Sequence, residues 1–113
     1  MIKKKGGLLR ELELRIEASN SIQFDYEKKI KYFENWNSQL NYEYNISYNV
    51  FFENQYLTPI KFQQLDDYRQ KILDRIALNN HSIQELKDKM NKQYLIHVLL
   101  TKCYYMIDNF SIL

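Results

Sequence analysis

Pro59 is the last proline of the chain, and no glycine follows it through to Leu113. A stretch of this length without either breaker lacks the two residues that punctuate structure most strongly. It opens on Thr58-Pro59, a good N-cap followed by a residue whose missing N–H costs nothing in the first turn of a helix. Behind that start, apolar residues recur at alternating steps of three and four. One row is Phe62, Ile76, Ile83, Met90 and Tyr104, and the row beside it is Leu65, Ile72, Leu86, Leu100 and Ile107. Arg69, Asn79, Gln93 and His97 are the polar intruders in the same seam. This is the heptad pattern of a helix lying along another helix. At about 1.5 Å per residue such a helix is a rod of roughly 75 Å, and it needs a partner of similar length.

The remaining breakers divide the chain. Of 113 residues only two are glycine, Gly6 and Gly7, and one is proline, near the middle. A sheet-rich fold needs more turn residues than that. The formal charge of +2 is small and the two signs are interspersed, which gives no strong pull toward nucleic acid or anionic membrane. Met1–Lys5 is basic, but no long apolar run follows, so it does not read as a signal peptide. The longest greasy run, Tyr94–Leu100, is interrupted by His97 and falls short of the ~18 residues of a membrane span. A lone cysteine, Cys103, fits a reducing, cytoplasmic (bacterial) setting.

Met1–Gly7 reads as a flexible basic leader, with Lys3, Lys4 and Lys5 in solvent. A first helix is expected over about 8–52. Its seam is Leu12, Ile16, Tyr26, Ile30, Phe33, Leu40, Tyr44 and Phe51, with Ser19, Gln23, Asn37 and Ser47 at the polar seam positions. The stripe is weaker than in the second half, softest at Ser19–Gln23, with Ile22 and Trp36 beside it. Opposite charges at i,i+4 support the outer faces: Glu11 with Arg15, Asp25 with Lys29, Glu27 with Lys31, then Asp67 with Lys71, Glu85 with Lys89 and Asp88 with Lys92. Each contributes only ~0.2–0.5 kcal/mol, but such spacing fits a helix and would be wasted on a strand.

Between Lys31 and Lys61 there is no basic residue, and Trp36, Tyr42, Tyr44, Tyr48, Phe51, Phe52 and Tyr56 crowd in among asparagines. The continuing seam favours helix over strand here. The aromatics either pack among themselves or form a protein-docking patch, for which Tyr42, Tyr48, Phe52 and Tyr56 are the candidates. Residues 53–58 form the turn and a second helix spans about 59–110. So short a connection makes the helices antiparallel, an all-α, long antiparallel two-helix coiled-coil hairpin. Mirror positions about residue 55 should face each other: Leu40 near Ile72, Phe33 near Ile76, Leu12 near Leu100.

The two chain ends then meet, and both are greasier than a two-helix seam can use. Leu8, Leu9, Leu12, Leu14 and Ile16 spread over much of one helix, and Leu95, Ile96, Val98, Leu99, Leu100, Tyr104, Tyr105, Met106, Ile107 and Phe110 go almost all round the other. A helix apolar on all sides is buried on more than one. Self-association of this chain, or enclosure by another protein, satisfies that need, and a third short helix or a folded-back tail is the alternative. Leu8, Leu9, Leu12, Ile16, Leu95, Leu99, Met106 and Phe110 are the candidate contacts.

No catalytic, cofactor or metal constellation is visible, and an enzyme is not expected. His81 and His97 are too far apart for a helical metal pair, and His97 and Cys103 fall on different faces. Cys103 lacks the base and oxyanion site of a nucleophile. Gly6-Gly7 is followed by no phosphate-loop signature, and the lysines form no basic stripe for nucleic acid.

The run Leu57–Ile83, with Phe62, Gln64, Leu65, Tyr68, Ile72, Leu73, Ile76 and Ile83, resembles the stretch after the turn in FliJ/YscO-type stalk proteins, which include the SctO-type proteins of virulence secretion systems. The resemblance implies a central stalk of a type III secretion or flagellar export ATPase. Its paired termini would enter the pore of a hexameric ATPase, and its other end would face an export-gate protein or chaperone. The competing reading is a cytosolic helical adaptor or secretion chaperone that binds a partner helix without any ATPase. A small phage or mobile-element inhibitor is a third.

Overall fold

The structure, a computed structural model, describes the backbone of residues 2–53 and 58–110 and the side chains of residues 6–47, 49 and 58–110. Two helices make up the described backbone: α1, Ile2–Glu53, and α2, Pro59–Asn109. The fold is an all-α hairpin with no strand among the described residues. The start of α2 forms as its residues dictate. Thr58 Oγ1 accepts the Lys61 N–H at 3.3 Å, and Thr58 O accepts the Phe62 N–H at 2.9 Å. The first four N–H positions of a helix lack an intrahelical partner, and Pro59 has no N–H to leave stranded there. Neither helix has an acidic residue in its first turn or a basic one in its last, so its end charges are not offset and packing holds it.

The helix begins at Ile2, not at Leu8. The expected leader is helical through Gly6 and Gly7, with no positive φ among the described residues. Two glycines weaken a helix by about 1 kcal/mol each, which is not enough to break one that continues uninterrupted behind them.

The chain divides into two compact units. Unit 1 is Met1–Lys29 with Leu86–Leu113, and unit 2 is Ile30–Glu85. In unit 1 the sheltered residues of α1 include Leu9, Leu12, Ile16, Ser19, Gln23 and Tyr26, and those of α2 include Leu86, Met90, Gln93, His97, Leu100, Tyr104 and Ile107. In unit 2 they include Ile30, Phe33, Asn37, Leu40, Tyr44 and Ser47 on α1, and Leu65, Arg69, Ile72, Ile76, Asn79 and Ile83 on α2. Steps of three and four run through every set, the knobs-into-holes periodicity of a coiled coil. Phe62 departs from its expected seam place and is exposed, because the sheltered stripe of α2 begins one turn later, at Leu65. Ile22 is exposed as well, while Trp36 is partly sheltered.

The helices are antiparallel within each unit. Trp36 meets Arg75, Tyr44 meets Arg69 and Ser19 meets Gln93, each within three residues of a mirror about residue 55, while other meetings fall six or seven residues beyond it. By that mirror Asn37 would face position 73, whereas it bonds Asn79 and Asn80; Glu13 would face 97, whereas it bonds Tyr104. Polar side chains with fixed hydrogen-bond demands set these meetings, and a heptad pattern alone does not determine axial offset.

Candidate functional site

The seam is polar where it is most deeply closed. Asn79 is fully buried at 0% exposure and Ser19 at 2%, with Asn37 and Ser47 also buried, whereas the buried apolar residues among those described are Ile30, Ile72 and Ile83. Each of these four polar residues makes at least one hydrogen bond. In unit 2 Asn79 Nδ2 donates to Asn37 Oδ1 and Asn37 Nδ2 donates to Asn80 Oδ1, both at 2.9 Å. Ser47 donates to the Tyr44 carbonyl of its own helix at 2.7 Å. In unit 1 Gln93 Nε2 donates to Ser19 Oγ at 2.9 Å, so the soft stretch of the α1 seam is paired with a polar residue of α2.

The aromatic content of unit 2 splits into two groups. The Arg75 guanidinium lies 4.0 Å from the centroid of Trp36, and that of Arg69 lies 4.4 Å from Tyr44. These cation–π contacts cover two rings of the aromatic-rich stretch, at ~0.5–2 kcal/mol each. Phe33 stacks on Trp36, with Tyr32 edge-on to Phe33. Tyr42 stays exposed, beside a shallow hollow with Ser38, Gln39 and Glu43. The side chains of Tyr48 and Phe52, and Tyr56 altogether, lie outside the described residues.

Among the described residues, unit 1 carries more of the exposed large apolar side chains than unit 2. Leu95 and Leu99 are each 62% exposed, Met106 64% and Phe110 71%, with Leu8, Leu14, Tyr94, Ile96 and Tyr105 exposed too. Leu9, Leu12 and Ile16, also expected as contacts, are only partly exposed and belong to the sheltered stripe of α1. Their step of three and four is the seam's own period, which places them inward. Leu8, Leu95, Leu99, Met106 and Phe110 remain available to a partner.

An open cleft of about 390 Å³ lies in unit 1, lined by Glu13, Ile16, Glu17, Asn20, His97, Thr101, Tyr104 and Tyr105. Tyr104 donates its hydroxyl to Glu13 Oε1 at 3.0 Å. The hydrogen bond and the adjoining negative charge of Glu13 both hold the phenol above its ordinary value of 10.0. No group of three or more His, Cys, Asp and Glu side chains gathers to hold a metal among the described residues. His81 pairs instead with Glu85 on the surface at 3.0 Å, and Cys103 is exposed. Of the expected surface ion pairs, Arg15 with Glu11 is formed at 2.8 Å. Asp67 accepts from Gln63 at 2.9 Å. No described helix is long and apolar enough to cross a membrane.

The chain matches no protein-family model, no curated protein and no solved structure.

Proposed function

We propose that this chain is a non-enzymatic coiled-coil stalk whose unit 1 is gripped by a protein partner, in the manner of the central stalk of a type III secretion ATPase. One observation carries the reading: Leu95, Leu99, Met106 and Phe110 stand outside the two-helix seam, each more than half exposed. Large apolar patches on a small protein mark interaction surfaces. The polar seam supports a scaffold role, since hydrogen-bonded layers fix how two helices align. In this reading Leu8 and the 95–110 face enter the ring of a hexameric ATPase. Tyr42 belongs to a second surface, for an export-gate protein or chaperone.

The test is co-purification of the chain with such an ATPase, together with its rate of ATP hydrolysis. Leu99→Asp and Met106→Asp should abolish capture and any stimulation, while Leu78→Asp, at an exposed position in unit 2, should leave both intact. Capture unchanged by the unit 1 substitutions overturns this mapping. Binding of a helical partner without any ATPase supports the adaptor reading instead.

A further inference from the structure

The outward stripe of α2 carries a symmetry of its own. Leu95, Leu99, Met106 and Phe110 are spaced by four, seven and four residues, so they share one face of the helix. The spacing reads the same in both directions about the midpoint between Lys102 and Cys103. A surface that meets its own copy across a two-fold axis must be self-complementary, and this one is. Laid antiparallel on a second copy, Leu95 meets Phe110 and Leu99 meets Met106, and each meeting occurs twice. The stripe's one charge is Lys102, and Cys103 is exposed beside it. About such an axis the two Cys103 side chains fall on one flank and the two Lys102 side chains on the other.

We propose that the free protein forms a two-fold dimer through antiparallel packing of this stripe on its counterpart in a second copy. The overlap is about 22 Å of helix. It offers four large side chains per copy, a small share of the ~800 Å² per partner of a standard interface. The opposed lysines weaken it further. The dimer is therefore weak and reversible. It covers the face until another protein displaces the second copy. This inference concerns the isolated chain and does not depend on the ATPase reading.

Sedimentation equilibrium of the full chain over a concentration series should show a monomer–dimer equilibrium. Leu99→Asp should weaken it by about 100-fold or more, since the dimer loses two buried leucines, with helicity retained because Leu99 lies outside the seam. Lys102→Ala should tighten it. A short bis-maleimide should link two copies through Cys103. A spin label on Lys92→Cys in the Cys103→Ser background should report a separation of roughly 32 Å, the axial distance of an antiparallel pair centred between residues 102 and 103. A monomer throughout the series, a dimer indifferent to Leu99→Asp, or a label separation near 10 Å, as in a parallel pair, would each overturn the proposal. Failure to capture an ATPase ring leaves these measurements untouched, so the two readings fail separately.

Discussion

Replacing both Asn37 and Asn79 by leucine should make the hairpin more stable and less well defined. Asn79 is fully buried, and one of its two polar groups, Oδ1, has no partner. A stranded buried acceptor costs ~1–3 kcal/mol, and a satisfied neutral hydrogen bond contributes only ~0.5–1.5. The double substitution removes the stranded group and two 2.9 Å bonds together. Asn80 is exposed, so its freed carbonyl turns to water. Two buried leucines add ~1.5–3 kcal/mol each. The first two terms cancel, and the sum is a gain of about 4.5 kcal/mol, which in urea moves the midpoint upward by roughly 1.5–4.5 M. Asn79→Leu alone should gain far less, because it removes one stranded acceptor and creates another on Asn37. The lost hydrogen bonds also discriminate between registers, since a slide by one heptad strands both amides of the native protein but neither leucine. Spin labels on Gln39→Cys and Asp74→Cys, with Cys103→Ser, would show this. A narrow distance distribution in the native seam should broaden toward a second population displaced by about 10 Å. A double variant less stable than the native chain would refute the energetic argument. One that is more stable yet keeps a single narrow distribution would refute the assignment of register to the asparagines.

Three further outcomes follow from local geometry. Thr58→Ala removes the side-chain acceptor of the Lys61 amide and should cost about 1 kcal/mol in a urea melt, with Thr58→Asp restoring it. Gly6→Ala and Gly7→Ala have no neighbour within 4 Å to oppose the added methyl, so each should raise helicity by circular dichroism and stabilise the first turns by ~0.5–1 kcal/mol. Glu13→Gln should lower the ionisation of Tyr104 toward its ordinary value, read as a difference ultraviolet titration against the native chain. The sign follows from linkage: a phenol held above its unfolded value lends stability that is present below about pH 10 and is lost as pH rises through the folded value. The native hairpin should therefore weaken more steeply than the Glu13→Gln variant above pH 10.

The period of the seam was legible from residue order because burial follows it directly. Leu12, Ile16, Ser19, Tyr26, Ile30 and Phe33 on α1, and Leu65, Ile72, Ile76, Asn79 and Ile83 on α2, are all sheltered where the heptads put them. The outward grease of Leu95, Leu99, Met106 and Phe110 was legible for the same reason, since residues off the seam period have no intrachain cover. What periodicity cannot carry is the axial offset. Nothing in a heptad says that Asn37 meets Asn79 and not position 73, because every heptad looks alike until its side chains choose hydrogen-bond partners. Nor does composition say that Arg75 and Arg69 reach across to Trp36 and Tyr44; long flexible cations select a ring only once the helices are aligned. The start of α1 was misplaced because paired glycines signal a break only where tertiary structure allows one.

The two surfaces of unit 1 are best understood together. Its closed seam carries the Ser19–Gln93 layer, while leucines, a methionine and a phenylalanine stand in water on α2's far side. A chain under pressure only for its own stability would place those groups the other way round, because a buried leucine contributes ~1.5–3 kcal/mol and a neutral hydrogen bond about 1. The arrangement trades stability for alignment inside and leaves binding energy unspent outside. Any partner that covers the outer stripe therefore adds to folding by mass action, about 2.7 kcal/mol at a hundred times its dissociation constant. That increment is comparable to what the polar layers forgo. On this argument a second copy or a partner that covers the 95–110 face should raise the hairpin's stability by an increment of that size.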